Sequence, residues 1–124
     1  MELFDCTLRD GGNVLGNGFP ADLTELMLKG LVDCGVRYIE YGNANGIGAG
    51  EEQGKVAPLT DAQYMTLGKP LVDKARLGMF ILAGNATEAR VAAAAEAGLS
   101  FLRVGANAGD ADKARQAVEL VKKH

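Results

Sequence analysis

The feature that most narrows the folds open to this chain is a fourfold alternation of short apolar runs with stretches of helical periodicity inside 124 residues. Residues 3–8 form an extended run ending at Arg9-Asp10-Gly11-Gly12, and a cluster of glycine, asparagine and proline through Pro20 reads as loop. From Ala21 the apolar positions Leu23, Leu26, Met27, Leu31 and Cys34 recur at helical spacing. Pro20 opens that helix, and Gly35 closes it as a left-handed cap. Residues 36–41 make a second strand. Residues 42–59 are too rich in glycine and polar groups for anything but loop, and a loop of this length is expected to be functional or mobile. Thr60 and Gln63 form a capping box for the next helix, which Pro70 kinks or divides. Residues 77–83 are a third strand, followed by an alanine-rich helix over 88–97 that Thr87 caps and Gly98 ends. Residues 100–104 are a fourth strand. Asp110 then opens a last helix with Ala114, Ala117, Val118 and Val121 on one face, and Lys122 and Lys123 lie where the negative end of its dipole favours cations.

A succession of βα units implies parallel strands, right-handed crossovers and helices packed outside the sheet. A complete (β/α)8 barrel takes about 250 residues, so four units amount to half of one TIM barrel. The pattern alone leaves a flavodoxin-like open parallel sheet as the alternative. In either case residues 1–124 read as a single (βα)4 domain, without a linker or a residue-level repeat.

With 48% hydrophobic residues the chain can bury a core without disulfides or a structural metal. Cys6 is expected inside the first strand as a small core residue and Cys34 near a helix end. Both are expected as free thiols in a cytoplasmic setting. No apolar run approaches the roughly 20 residues that cross a bilayer. The 13 Lys and Arg, set against 16 Asp and Glu, form no basic stripe, which argues against nucleic acid or a membrane as partner.

In a βα barrel, reactive side chains gather where strands end, because the barrel interior is packed shut. The polar residues of this chain follow that rule: Arg9 and Asp10 after strand one, Glu40, Asn43 and Asn45 after strand two, Asn85 after strand three, Arg103 and Asn107 at strand four. Arg9 and Asp10 admit two readings, a surface ion pair before a turn or a charge-stabilising arginine beside a carboxylate for a hard cation. Spacing alone favours the ion pair. Asn43 and Asn45 are equally turn formers or substrate ligands. The glycines at 42, 46, 48 and 50 suggest a mobile rim loop rather than a phosphate cradle, since no helix is expected to open directly after them.

The segment Asp5-Cys6-Thr7-Leu8-Arg9-Asp10-Gly11-Gly12 resembles the strand-one signature of the metal-dependent aldolase and lyase superfamily. The resemblance is closest to the 4-hydroxy-2-oxovalerate aldolases. Hydroxymethylglutaryl-coenzyme A lyase, isopropylmalate synthase and homocitrate synthase share the opening more distantly. Gly35-Val36-Arg37-Tyr38-Ile39-Glu40-Tyr41-Gly42 resembles the second strand of that family, and Phe101-Leu102-Arg103-Val104-Gly105-Ala106-Asn107 the fourth. The resemblance implies a TIM barrel that makes or breaks a carbon–carbon bond in a 2-oxo acid such as pyruvate, with a divalent Mn2+ or Mg2+ ion steadying the enolate. It further implies Asp10 as a metal ligand, Arg9 as the enolate-stabilising group, and Glu40 as the residue that orients Arg9 or a metal-bound water. Asn13, Asn43, Arg103 and Asn107 are expected to meet the substrate.

Departures from the family pattern bear on the chemistry. The closest aldolases carry a histidine where this chain has Asn13, which cannot exchange a proton near neutral pH, and often another where Asn107 stands. Family members complete the metal site with a histidine-x-histidine pair from strand six, whereas the only histidine here is His124. Metal binding is therefore expected to be weak or absent in this chain alone, and catalysis to need a second half barrel. The alternatives are a half barrel that self-associates into a homo-oligomer, or a non-catalytic module that binds a small anion.

Overall fold

Asp5 decides where the first strand stops. Its carboxylate accepts the backbone N–H of Thr7 at 2.9 Å, a side-chain bond that turns the chain out of extended geometry. In the computed structural model, which describes residues 3–124, β1 is therefore only Phe4–Asp5. Thr7–Asp10 form a helical turn, α1, continued by a 3-10 turn over Gly11–Val14. This corrects the expected strand over 3–8, and Cys6 with it: the residue lies past the strand, half-buried at the start of α1, and not in the core. The helical turn also brings Arg9 and Asp10 onto neighbouring sides of one short element.

Helix α2 (Ala21–Asp33) ends in a Schellman motif, with Gly35 N–H bonded to Val32 O and Val36 N–H to Leu31 O, both at 3.0 Å. Gly35 makes this possible with φ of +85°, a conformation that side chains with a Cβ avoid. The packed face of α2 is centred on Thr24 and Leu28, flanked by Met27 and Leu31. Leu23 and Leu26, expected on that face, are exposed, because the buried stripe runs one residue further round the helix.

After β2 (Tyr38–Glu40) the chain enters the segment expected to be a mobile loop. It is packed instead: Tyr41, Asn43, Ala44, Ile47 and Ala49 are buried, and a short helix, α3 (Ala49–Glu52), opens within it. The glycines serve close approach rather than mobility. Ile47 N–H bonds to Phe80 O at 2.8 Å, and a Cβ on Gly46 would stand 2.8 Å from that same oxygen. The start of α3 has no vacancy for a phosphate, since Gly48 N–H already bonds to the Asp61 carboxylate at 2.9 Å.

Helix α4 (Asp61–Gly68) carries the expected capping box, and it gives way to a 3-10 turn over Lys69–Leu71 at Pro70. Strand β3 (Arg76–Leu82) follows, then α5 (Glu88–Glu96) capped by Thr87, β4 (Phe101–Gly105) and α6 (Ala111–Lys123). Ala117 is buried in α6, but Val118, expected beside it, is exposed, while Ala114 and Val121 are half-buried.

The four strands form one parallel sheet in the order β1-β2-β3-β4. Right-handed crossovers that always advance in one direction put their helices on a single face, as in a segment of barrel, whereas a doubly wound sheet reverses at a switch point. That helix-covered face holds the core, built on Ile39, Tyr41, Leu77, Met79 and Ile81. The alternate residues make the other face: Phe4 against Phe101, Arg76 over the Tyr38 ring, and Phe80 beneath Arg9 and Arg103. No helix among the described residues is long and apolar enough to cross a membrane.

One core atom is unsatisfied. The Tyr41 hydroxyl is buried against Gly68 without a hydrogen-bond partner among the described residues, and burial pushes its pKa above the ordinary tyrosine value. Removing such a group relieves a desolvation penalty at no loss of a bond. Tyr41→Phe is expected to leave the unfolding free energy unchanged or raise it by up to about 1 kcal/mol in urea melts. A loss beyond about 1 kcal/mol would show that the hydroxyl contributes a bond after all.

Candidate functional site

The end of β2 places Glu40 on the sheet face away from the helices, where its side chain is 0% exposed. A carboxylate can be held there only by compensating donors. Two arginines supply them. Arg9, from α1, donates Nε to Glu40 Oε1 at 2.7 Å. Arg103, from the middle of β4, reaches across β3 and donates Nε to Oε2 at 2.8 Å and Nη2 to Oε1 at 2.9 Å. Burial acts to raise the Glu40 pKa, but the hydrogen bonds and charges of Arg103 and Arg9 outweigh it and hold the carboxyl below its usual value. The same bond to Glu40 raises the pKa of Arg103.

Arg9 is fixed a second time, by donation of Nη1 to the Ala44 carbonyl at 3.0 Å. Its side chain is 13% exposed, and both guanidiniums lie over the Phe80 ring, at 5.0 Å for Arg9 and 5.1 Å for Arg103. Asp10 stands 3.5 Å from Arg9 Nη1 but is 65% exposed, so the surface ion pair and the buried clamp exist together. Neither Phe80 nor the Ala44 carbonyl was among the expected participants. An aromatic inside a strand and a backbone oxygen in a loop carry no chemical signature in sequence.

The expected asparagines divide. Asn43 is buried and fully engaged, donating Nδ2 to Lys55 O at 2.7 Å and accepting the Asn45 N–H at 2.8 Å. Asn45 donates its own side chain to Asn17 Oδ1 at 3.0 Å. Asn85 is likewise buried, in a reciprocal amide pair with Gln53 at 3.1 and 2.8 Å. Asn13 is exposed and donates Nδ2 to Asp10 O at 3.0 Å. Asn107 is exposed on a cleft of about 150 Å3 between the ends of β3 and β4, lined also by Gln53, Asn85, Asp110 and Lys113. Arg103 turns part of its guanidinium to Glu40 while its side chain stays 47% exposed.

The donor set does not fit a divalent metal by itself. Among the described residues no three His, Cys, Asp or Glu side chains are grouped to hold one, and Asp10 offers a single carboxylate at the rim. A hard cation calls for several oxygen or nitrogen ligands. What the residues do build is a fixed pair of guanidiniums sharing one carboxylate, with one positive charge in excess before Asp10 is counted. Such a pair suits a planar anion or an oxyanion that develops during reaction.

No family model matches the chain. Individual proteins do. The chain is 37% identical over 124 residues to a protein of Nocardia farcinica named 4-hydroxy-2-oxovalerate aldolase 2, of which it covers 36%. It is 31% identical over 122 residues to the 4-hydroxy-2-oxovalerate aldolase of Desulfitobacterium hafniense, covering 98% of this chain and 37% of that protein. With a Rhodococcus jostii protein named 4-hydroxy-2-oxovalerate aldolase 2 the identity is 32% over 124 residues and 36% of that protein is covered. The chain thus spans little more than a third of the length of these curated relatives, and it matches their amino-terminal part.

Glu40→Gln tests the electrostatics of the clamp. It leaves two guanidiniums facing a neutral amide and is expected to destabilise the fold by about 2–4 kcal/mol at pH 7, toward the lower end because Arg103 keeps access to water. A carboxyl with a lowered folded pKa contributes stability that is present above its unfolded value, near 4.5, and is lost as pH falls through the folded value. The gap in stability between the parent and Glu40→Gln should therefore narrow below about pH 4.5 in denaturant melts. Asp61, whose pKa burial pushes up, has the opposite dependence and cancels in this comparison. A gap independent of pH from 3 to 7, on the order of that range, would remove Glu40 ionisation from the account.

Proposed function

We propose, with the whole-chain relationship to 4-hydroxy-2-oxovalerate aldolases as premise, that residues 1–124 form one half-barrel domain bearing the oxyanion-stabilising wall of a carbon–carbon lyase. The substrate class is a short 2-oxo acid with a hydroxyl on C4. Breaking the bond between C3 and C4 leaves an electron pair on C3 that delocalises onto the C2 oxygen, while C4 departs as an aldehyde. From 4-hydroxy-2-oxovalerate the products are pyruvate, once its enolate is protonated at C3, and acetaldehyde. Arg9 stabilises the developing oxyanion. The observation that carries this reading is that Arg9 is held by two bonds, to Glu40 and to the Ala44 carbonyl, so the guanidinium need not reorganise as charge develops.

Glu40 orients Arg9 in this scheme. The exposed part of Arg103, together with Asn13 and Asn107, meets the substrate, whereas Asn43 shapes the loop beneath it. The proton of the C4 hydroxyl needs a base, and since Asn13 cannot be one, another group takes it. Among the described residues, Asp10 is the carboxylate that a divalent Mn2+ or Mg2+ ion would meet at this rim, and no step is assigned to that ion. The chain is accordingly inactive alone and works with a second half barrel, in the same polypeptide or on another copy, in the cytoplasm and without nucleic acid or membrane.

In the longest polypeptide that carries this segment, Arg9→Ala is expected to lower kcat for pyruvate release from 4-hydroxy-2-oxovalerate by about 10²–10³-fold. Arg9→Lys should recover little, because an ammonium lacks the planar fork. Release that continues within about twofold of the parent in Arg9→Ala would defeat the proposal.

A further inference from the structure

We infer that Asn17 is a positioning residue for Arg9, holding the Ala44 carbonyl against the arginine's guanidinium. The inference rests on the reading of Arg9 as the oxyanion-stabilising group. Asn17 has φ of +72° and is the only non-glycine residue with positive φ among those described. Asparagine tolerates this region better than most side chains, yet the conformation persists only where the surroundings demand it.

The surroundings are specific. Ala44 N–H bonds to Asn17 O at 2.8 Å, Asn45 Nδ2 donates to Asn17 Oδ1 at 3.0 Å, and Asn17 Nδ2 donates to Val56 O at 3.2 Å. One residue of the segment between α1 and α2 thus grips the segment after β2 at both its beginning and its end. Ala44 is held on its N–H by Asn17 and, through its carbonyl, receives Nη1 of Arg9. Steric contact reinforces the bonds: a Cβ on Gly12 would stand 2.9 Å from Gly18 Cα and 3.3 Å from Ala44 Cβ, so the stretch that follows Arg9, the Asn17 turn and Ala44 are pressed together. Other anchors of this segment, among them Ile47 N–H on Phe80 O, Gly48 N–H on Asp61, the Gln53–Asn85 pair and the bond of Arg90 to Glu52, bond neither Ala44 nor Asn17.

Geometry explains why this matters for Arg9. The Nε bond to Glu40 fixes one edge of the guanidinium, and the Nη1 bond fixes its plane. If Ala44 drifts, the fork can rotate about the remaining bond and presents its free edge imperfectly to an oxyanion.

The test follows the Arg9 Nε–H in this chain by nitrogen-15 NMR, with the resonance assigned by its loss in Arg9→Lys. Asn17→Gly permits the same backbone but deletes both side-chain bonds, and is expected to accelerate exchange of that proton on the order of tenfold. Gln53→Ala, which loosens the same segment elsewhere, should change it by less than about twofold. Should Asn17→Gly fail to fold, Asn17→Asp keeps the acceptor and the tolerance for positive φ while losing the donor, and a few-fold acceleration is expected. Unchanged exchange in the folded Asn17 variants, or equal acceleration in Gln53→Ala, overturns the inference. In the polypeptide assayed for lyase activity, Asn17→Gly should lower kcat by about tenfold with KM little changed, and should have no further effect in an Arg9→Ala background. An Arg9→Ala variant that keeps full activity defeats the functional reading, whereas the exchange measurement still decides the positioning role.

Discussion

A carboxylate with no exposure to water is the constraint on which the arrangement turns. Glu40 has no place on this sheet face unless donors arrive from both sides, and they come from elements 31 and 63 residues away in sequence. Strand β3 separates Arg103 from its partner, so the long side chain must cross a neighbour to reach Glu40. Packing on β3 and β4 prepares that crossing. The Phe101 ring fills the space over Gly78, and the Phe80 ring fills the space over Gly105, each at a position where a Cβ would collide with it. This exchange leaves Phe80 as a platform beneath both guanidiniums. A stack of this kind adds cation–π attraction to the ion pairs and is worth most where water is excluded.

The same carboxylate couples the site to the loop that follows it. Glu40 and Ala44 are four residues apart, and both receive bonds from Arg9. The position of the guanidinium is therefore set jointly by a strand end and by a loop that has a fold of its own. Buried Asn43 bridges Lys55 and Asn45, and Asp61 on α4 takes the Gly48 N–H. Backbone polar groups that are buried need such partners. Here side chains supply them where no sheet or helix could, which is how a segment so rich in glycine and asparagine becomes packed.

These differences separate what could be read in sequence from what could not. Thr60 with Gln63, Thr87, Gly35 and Gly98 were legible because each acts through bonds within a few residues. That Arg9 and Glu40 share a rim was legible from the parallel arrangement, whereas the bond between them was implied only by the family resemblance. Asp5 carried a local signal for the early end of β1, a carboxylate two residues before a free N–H, but the apolar run through Leu8 masked it. The packed loop was opaque for a different reason. Composition reports that asparagine and glycine favour turns, not whether their amides find partners across 39 residues, as Asn17 does with Val56. Around Arg103, Gly78 pairs with Phe101 and Phe80, opposite Arg103 itself, leans over Gly105 two positions on, an arrangement that spacing within either strand does not reveal. A glycine on each side of Asn17 was the one available clue to its left-handed backbone.

The sheet face that carries the clamp also constrains whatever closes it. Arg9 and Arg103 share Glu40 on this face, Arg76 lies over the Tyr38 ring, and Phe4 and Arg103 remain half-exposed there. Two such faces brought together would set three guanidiniums against three, with the two Glu40 carboxylates between them and the two Asp10 carboxylates at the rim. Coulomb repulsion between guanidiniums grows as the dielectric constant between them falls, so an element packed over this face gains most where it brings carboxylates to them. A carboxylate laid against the exposed edge of Arg103 would offset charge that Glu40, shared with Arg9, leaves uncompensated there.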